Sequence, residues 1–333
     1  MEKTNNILIT QRKNWIDWAK SIGIIMVVMG HSCYAQKDIV PFIFMIHMPL
    51  FFFVSGYLFK TNCTLKEISD NNIKRLFVPY ILYNLIFAVF ALLICIVKSL
   101  LCKEVDWNFS FFHGFWSTIL GIANGLYDGV TWFLLSLIWC KYILFYFEKS
   151  VLWIKILIVI ICGILFYIRI CWNVQYLYSF DTALAGIIWF VLGRLERMYM
   201  EKYNLPKYIL VIIIPICLYL CWSIYKKYGY CNYIMANVNG WMGVIGTATG
   251  LMAFFSICKL LDDTNWSIIR RISQSTISIM CWHMLIQGPM DKIIHYQHHL
   301  FITFIGDLCI VLLLTSIYPF MQKYTPALIG KRK

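Results

Sequence analysis

The chain alternates long apolar runs with short polar segments. A window of about 19 residues finds ten apolar stretches that are long enough to form membrane helices. They lie near 15–35, 41–59, 77–101, 131–147, 151–171, 179–197, 206–225, 240–261, 273–290 and 300–322. The aromatic stretch 109–127 is shorter and interrupted by glycines, which predicts an interfacial or re-entrant segment. The pattern therefore predicts an all-α polytopic membrane protein with about ten transmembrane helices.

Composition supports this fold class. Hydrophobic residues make up 61% of the 333 residues and charged residues 14%, whereas soluble domains average about 45–50% and about 25%. An ordinary soluble enzyme is excluded, and nucleic acid is excluded as a partner because the Lys and Arg residues are scattered between apolar runs. We expect a single membrane domain over 1–333, with tails at 1–14 and 323–333 and helices over about 15–322.

Positive charge predicts the orientation of the helices. If the N-terminus is cytoplasmic, Lys and Arg at cytoplasmic ends outnumber those outside by about three to one. Because these residues resist translocation, both termini are predicted to be cytoplasmic. The first helix does not resemble a signal peptide, since it has Lys20 before a short apolar stretch and lacks a small-residue cleavage site. The expected location is the cell membrane, taken as a bacterial inner or plasma membrane.

The thirteen cysteines do not indicate a metal site. Most lie inside apolar runs, where a free cysteine behaves as a small hydrophobe, and neither a C-x-x-C pair nor a zinc-like Cys/His spacing occurs. We therefore expect no bound metal. A disulfide among Cys102, Cys171 and Cys231, which lie near one membrane face, stays open.

The first predicted helix carries three ionisable residues, Asp17, Lys20 and His31. Charged groups in hydrocarbon cost at least about 2.5–3.5 kcal/mol, so such residues are functional candidates. Lys20 and His31 are eleven positions apart, which places them on one helix face about 16 Å apart along the axis. Asp17 lies one turn from Lys20 and is expected to pair with it. The structural alternatives are a Lys20 that snorkels to the interface and a His31 that only packs.

Two other histidines, His47 and His283, fall at a similar depth in the second and ninth predicted helices. Their depths and that of His31 differ by about 5 Å at 1.5 Å per residue, so the three side chains could meet. Each of the two taken alone is as well explained by packing and a bond to a neighbouring carbonyl. A three-histidine metal site is geometrically possible, but no short His–His spacing supports it.

Further candidates follow along the chain. Ser55 and Gly56, near the inner end of the second helix, allow close approach of a ligand or of another helix. Lys74 and Arg75 place two cations at the inner start of the third helix, which suits phosphate binding. Anchoring by the positive-inside rule is the alternative explanation for this pair.

The segments that contain these candidate residues resemble the membrane acyltransferase-3 family, and within it the branch described as fucose 4-O-acetylase-like. The family has a basic residue, ten intervening positions and a histidine in its first helix, which Lys20 and His31 match. It also has two arginines four apart at the start of the third helix, where Arg75 matches the second and Asn71 replaces the first. The segments that carry the resemblance are 15–20, 30–32, 47–57, 74–80 and 132–134.

The resemblance implies transfer of an acyl group, usually acetyl from cytoplasmic acetyl-CoA, to a hydroxyl of a cell-surface carbohydrate or its precursor. Acetyl-CoA is then a donor substrate, not a permanently bound cofactor, and the other partners are the carbohydrate acceptor and the lipid bilayer. The donor's pantetheine arm is expected to pass from Lys20 to His31. The implied roles are catalysis for His31, acyl-CoA binding for Lys20, Arg75, Lys74 and Ser55, and support for Asp17, His47 and His283.

Three points stay open at this stage. The group that orients His31 is one of Ser32, His47, His283, Gln287 and Asp181. A secondary transporter that exports a glycan or small solute is the alternative function, because intramembrane His and Lys also form proton relays. A structural subunit of a polysaccharide-export complex is a third possibility, which would leave Lys20 and His31 unexplained.

Overall fold

The computed structural model describes residues 12–32, 39–60, 62–101, 103–107, 111–199, 205–233, 237–294 and 300–331. In these ranges the regular secondary structure is helical apart from an isolated bridge between Asn232 and Asn237. A π-helix, Ile73–Phe77, joins α3 to α4, and 3-10 turns lie at Leu177–Ser179 and Pro326–Ile329. The α-helices are α1 Asn14–Ser32, α2 Ile39–Tyr57, α3 Leu65–Asn72, α4 Val78–Leu100, α5 His113–Leu120, α6 Trp132–Lys149, α7 Leu152–Trp172, α8 Phe180–Tyr199, α9 Lys207–Tyr228, α10 Gly240–Leu260, α11 Ser267–Gln274, α12 Thr276–Ile294 and α13 Leu300–Tyr324.

Ten of these helices coincide with the ten predicted apolar stretches, in order and within four residues at each end. They are α1, α2, α4, α6, α7, α8, α9, α10, α12 and α13. Within the ranges that the structure describes, five helical segments are long and apolar enough to cross a membrane: those ending at Leu100, Trp172, Tyr228, Leu260 and Tyr324. The all-helical membrane fold is therefore confirmed, while the count of ten spans and the sides of the termini stay predictions.

The aromatic stretch 109–127 forms one short helix and a buried loop. Helix α5 ends at Gly121, whose φ of +64° lies in the left-handed region that glycine adopts without steric cost. The loop that follows runs to Thr131 and buries Leu126, Asp128 and Val130. This loop enters the bundle and forms part of the candidate site described below.

Helices α2 and α8 cross closely because three glycines leave room for them. A Cβ atom on Gly56 would collide with the Phe190 carbonyl, and one on Gly193 would collide with the Phe53 carbonyl. Glycine at a helix crossing lets two backbones approach where side chains would separate them, which is how membrane helices gain packing energy. At Gly186, a Cβ would instead meet the Phe52 ring.

Helix α1 lies at the centre of the bundle and packs against α2, α10, α11, α12 and α13. Helix α7 lies at the edge, and nearly its whole apolar surface is exposed, as expected for a helix that faces lipid. Cys171 and Cys231 are both free thiols in this structure, whereas Cys102 lies outside the described residues. The central position of α1 brings its polar residues into contact with distant parts of the chain.

Candidate active site

His31 and His283 come together where α1 meets α12. Their ring centroids are 5.2 Å apart, and Phe44 on α2 lies against His31 at 6.2 Å and against His47 at 5.0 Å. His283 and His47 are buried, and His31 is half-buried. The three histidines, which the sequence placed at similar depth, therefore come together from three different helices.

Two of the three histidines are held in a fixed orientation. The Nδ1 atoms of His47 and His283 lie 2.9 and 3.0 Å from the carbonyls of Ile43 and Ile279, one turn earlier on the same helices. Because a carbonyl only accepts, each Nδ1 carries the proton and donates it, and each Nε2 is left as an acceptor. The His283 Nε2 is buried without a hydrogen-bond partner. A second unprotonated imidazole nitrogen is thus available on the residue that faces His31.

A small cavity of about 50 Å³ borders two of these imidazoles. It has room for one or two water molecules. Residues from α1, α2, α6, α12 and two connecting segments enclose it, including several aromatic side chains. The lining consists of Val27, His31, Phe44, His47, Met48, Gly129, Val130, Trp132, Asn232, Tyr233 and Met280.

A buried hydrogen-bond network fixes the end of α1 that carries His31. The Ser32 hydroxyl donates to Asp307 on α13, and the Gln287 amide donates to the same carboxylate at 3.1 Å and to the Val28 carbonyl at 2.8 Å. Ser32, Gln287 and Asp307 are all buried. Two of the five residues considered for orienting His31 thus meet at Asp307, which sequence reasoning missed. The only available signal was a lone carboxylate in an otherwise apolar helix.

The loop 121–131 forms one wall of the cavity and is held by Asn84 on α4. The Asn84 amide donates to the Thr131 hydroxyl at 2.9 Å, and its carbonyl oxygen accepts from the Asp128 amide at 3.2 Å. One oxygen of the Asp128 side chain is buried without a partner, and burial raises the pKa of this carboxyl to about 8. Trp132, which follows this loop, lines the cavity, whereas the indole of Trp116 is exposed.

Asp17 is bound by different residues from the one expected. Its carboxylate accepts from Arg12 at 2.7 and 2.9 Å and from Ser273 at 2.6 Å, and the hydrogen bonds to Asp17 raise the pKa of Arg12. No ion pair within 4 Å joins Lys20 to Asp17, whose charge acts on Lys20 only at longer range, so the direct contact expected between them is not formed. Arg12 reaches the carboxylate in a two-pronged geometry that a lysine ammonium does not offer. Asp17 thereby links the start of α1 to α11.

The His31 cavity does not extend along α1 as far as Lys20. Lys20 is half-buried and is not among the residues that line the His31 cavity. Ile24 and Val27, which lie between the two on α1, are buried. Side chains must therefore move before a ligand can extend from one residue to the other.

Lys74 and Arg75 lie on the π-helix Ile73–Phe77, and both are exposed. The carboxamide of Asn72, immediately before this π-helix, is buried and has no hydrogen-bond partner on either its nitrogen or its oxygen. A buried amide without partners costs about 1–3 kcal/mol, so it is a candidate ligand-binding group that sequence reasoning missed. Gly330, near the C-terminal end, packs against the Arg75 backbone.

Two further candidates, Ser55 and Asp181, are absent from the lining of the His31 cavity. Ser55 is half-buried, while its neighbour Gly56 admits helix α8. Asp181 forms a buried ion pair with Arg169 at 3.0 Å, which joins α7 to α8 and commits this carboxylate elsewhere.

Within the described ranges, no group of three His, Cys, Asp or Glu residues is arranged to hold a metal ion.

The fold is that of a helical membrane protein, and buried polar residues converge at the His31 cavity. A family profile described as an acyltransferase domain, acyltransferase 3, matches residues 13–320. Because this match covers nearly the whole chain, the protein belongs to that family. Searches of curated proteins and of solved structures each return no significant match.

Proposed function

We propose that this membrane acyltransferase moves an acyl group, most simply acetyl, from cytoplasmic acyl-CoA to a hydroxyl of a cell-surface carbohydrate or its precursor. Family membership supports the reaction class. The observation that carries the proposal is the cavity beside His31, where the imidazole lies among residues from four helices at the end of α1 opposite Lys20. On this proposal all ten long helices span a bacterial cell membrane, with both termini in the cytoplasm.

His31 acts as the general base in the proposed reaction. A neutral imidazole accepts the proton of the acceptor hydroxyl while the hydroxyl oxygen attacks the thioester carbonyl. The tetrahedral intermediate then expels the CoA thiolate, which takes up a proton, and the ester is formed. An alternative with the same balance passes through an acyl-imidazole on His31. The free Nε2 of His283, 5.2 Å away between ring centroids, supports proton transfer at this place.

Cations at the opposite end of α1 bind the donor. CoA carries several phosphates, which suits Lys20, Lys74 and Arg75, and the buried carboxamide of Asn72 offers a donor and an acceptor that lack partners. Ser55 stays a candidate for the pantetheine arm. Because Ile24 and Val27 fill the space below His31, donor binding must widen this path, as substrate-induced opening does in other enzymes.

On this proposal the acceptor binds in the His31 cavity beside the residues of its connecting segments. Trp132, Tyr233 and Asn232 line it there, and aromatic faces with an amide are groups that suit a sugar ring. A cavity of about 50 Å³ is far smaller than the roughly 300 Å³ of a typical small-molecule pocket. The carbohydrate must therefore enter as the connecting segments move apart.

The deciding experiment uses the full chain purified into nanodiscs. Radiolabelled acetyl-CoA and a panel of glycans are added, and transfer of label and release of CoA are measured. His31→Gln should abolish transfer, while His113→Gln, a histidine on the short helix α5, should leave it intact. Lys20→Met should raise the KM for acetyl-CoA, while Lys20→Arg should restore it in part.

Two results would contradict the proposed function. If no acceptor in a broad panel receives label, and the protein in liposomes instead moves a solute in a His31-dependent way, the transporter alternative is correct. If transfer occurs but survives His31→Gln, the proposed catalytic role is wrong.

A further inference from the structure

A second and much larger cavity, about 530 Å³ in volume, shares no lining residue with the His31 cavity. Helices α8 and α10 both pack against α2, and the cavity lies between them, with Leu210 and Ile213 of α9 also in its lining. Trp15 on α1, Phe53 on α2 and Phe255 on α10 form its aromatic inner wall, with the Phe53 and Phe255 rings 4.3 Å apart. No role in the proposed reaction accounts for this cavity.

The lining of the cavity extends along the helices. On α10 its lining positions follow one helical stripe from Ala248 to Lys259, which spans about 16 Å at 1.5 Å per residue. On α8 they run from Trp189 to Tyr199, about 15 Å. Half of a hydrocarbon core about 30 Å thick is about 15 Å. The length therefore matches one leaflet of the bilayer.

The chemistry of the lining changes from one end to the other. Along most of its length the cavity is lined by apolar side chains such as Leu192, Leu251 and Met252, and Met252 is 52% exposed, so the cavity opens sideways to lipid. At the end where α1 begins, Lys259 and Glu196 form an ion pair. One wall is thus suited to hydrocarbon, and one end presents a cation beside an anion.

The deep end of the cavity contacts the His31 site. Trp189 is 1% exposed, and its indole N–H donates to the Tyr233 hydroxyl at 2.8 Å. Tyr233 lines the His31 cavity. This hydrogen bond therefore joins the lining of the large cavity to the lining of the His31 cavity.

We infer that the large cavity binds one acyl chain of a phosphatidylethanolamine-type phospholipid from the leaflet in which α1 begins. The chain lies along Leu192, Leu251 and Met252, and the head group lies at the Lys259–Glu196 end. Its phosphate complements the lysine and its ammonium, which can still donate hydrogen bonds, complements the glutamate. A polyprenyl chain is longer than one leaflet and fits this length less well.

The test uses the full chain in phosphatidylcholine nanodiscs that contain a trace of phosphatidylethanolamine with a diazirine midway along one acyl chain. After irradiation, cross-linked peptides are mapped by mass spectrometry. Peptides from α8 and α10 should be labelled about tenfold more than peptides from the lipid-facing helix α7. Ala248→Trp, which fills the cavity, should reduce this labelling to the level of α7, while the matched variant Ala91→Trp on α4 should not.

Four results would overturn the inference. Equal labelling of α7 and α10 would mean contact with bulk lipid only, and an equally efficient phosphatidylglycerol probe would remove the head-group assignment. Displacement by polyprenyl phosphate would identify a lipid-linked substrate instead. If Ala248→Trp fails to fold, Met252→Trp at the open side replaces it, and undiminished labelling in a folded filling variant would exclude the cavity. None of these readouts requires transferase activity, so the inference and the proposed function fail separately.

Discussion

His31 and His283 face each other at 5.2 Å between ring centroids, although they come from opposite ends of the chain. The Nδ1 proton of His283 is committed to the Ile279 carbonyl at 3.0 Å, and its Nε2 is buried without a partner. A buried acceptor without a partner costs stability, so its presence beside the candidate base points to a functional role. This relationship gives the first prediction.

Replacement of His283 by Leu should lower kcat by about a hundredfold, the lower end of what a positioned acid–base group contributes. Stability should stay unchanged or rise, because an unsatisfied polar atom is removed. Single-turnover transfer and thermal unfolding in detergent measure the two effects. Activity at the wild-type level in a folded His283→Leu protein would show that His283 only packs.

Asp307 should contribute strongly to stability because two donors depend on it. Asp307→Leu leaves the Ser32 hydroxyl and the Gln287 amide without this acceptor, which costs about 2–4 kcal/mol. Asp307→Asn keeps one oxygen acceptor and should cost less. Thr315→Val, a control on the same helix, removes a hydroxyl that bonds the Val311 carbonyl and should cost about 1 kcal/mol. Equal unfolding temperatures for Asp307→Leu and Thr315→Val would contradict this prediction.

Asn72 should show opposite effects on stability and on donor affinity. Asn72→Leu removes two buried polar atoms without partners, which should stabilise the protein by about 1–3 kcal/mol. If the carboxamide binds the donor, the same change should raise the KM for acetyl-CoA by about tenfold. Thermal unfolding without ligand and initial rates over a range of acetyl-CoA concentrations test both. A variant with unchanged KM would remove Asn72 from the proposed donor site.

The close crossing of α2 and α8 predicts a sharp difference between two glycines. Gly193→Ala places a Cβ against the Phe53 backbone and should destabilise the protein by more than about 3 kcal/mol, at the level of severe core defects. Gly163→Ala on α7 meets nothing within 4 Å and should stabilise it by about 0.5–1 kcal/mol through helix propensity. The comparison is made by thermal unfolding, and similar losses in both variants would contradict the crossing.

Asp128 should make stability depend on pH. Its pKa is raised by burial to about 8, from an ordinary value of 3.8, so the folded state holds a proton that the unfolded state has released. The contribution of this proton to the free energy of unfolding is fully present below pH about 4, and it is lost as the pH rises toward about 8. Asp128→Asn should remove this part of the slope when the unfolding temperatures of the two proteins are compared from pH 4 to 8. If the difference between the two unfolding temperatures stays constant from pH 4 to 8, this prediction is wrong.

The positions of the helices could be predicted because each is a long apolar run, and the three histidines could be placed at one depth by counting residues. The contacts that a side chain makes with residues of other helices could not be predicted. Asp307 is a lone carboxylate in α13, and only packing shows that it meets Ser32 and Gln287. The expected Asp17–Lys20 pair failed because Arg12, five positions earlier, reaches the carboxylate with two nitrogens. Spacing on one helix does not reveal a competitor that lies before the helix begins.

The π-helix at Ile73–Phe77 bears on how this chain is aligned with its relatives. A π turn accommodates one more residue than an α turn. Deletion of one residue from this turn would restore a regular α-helix and bring Arg75 one position closer to Asn71. One position corresponds to about 100° around a helix. Such a deletion would therefore turn Arg75 to a different face of the helix from the one it occupies here, while the substitution at Asn71 would be unaffected.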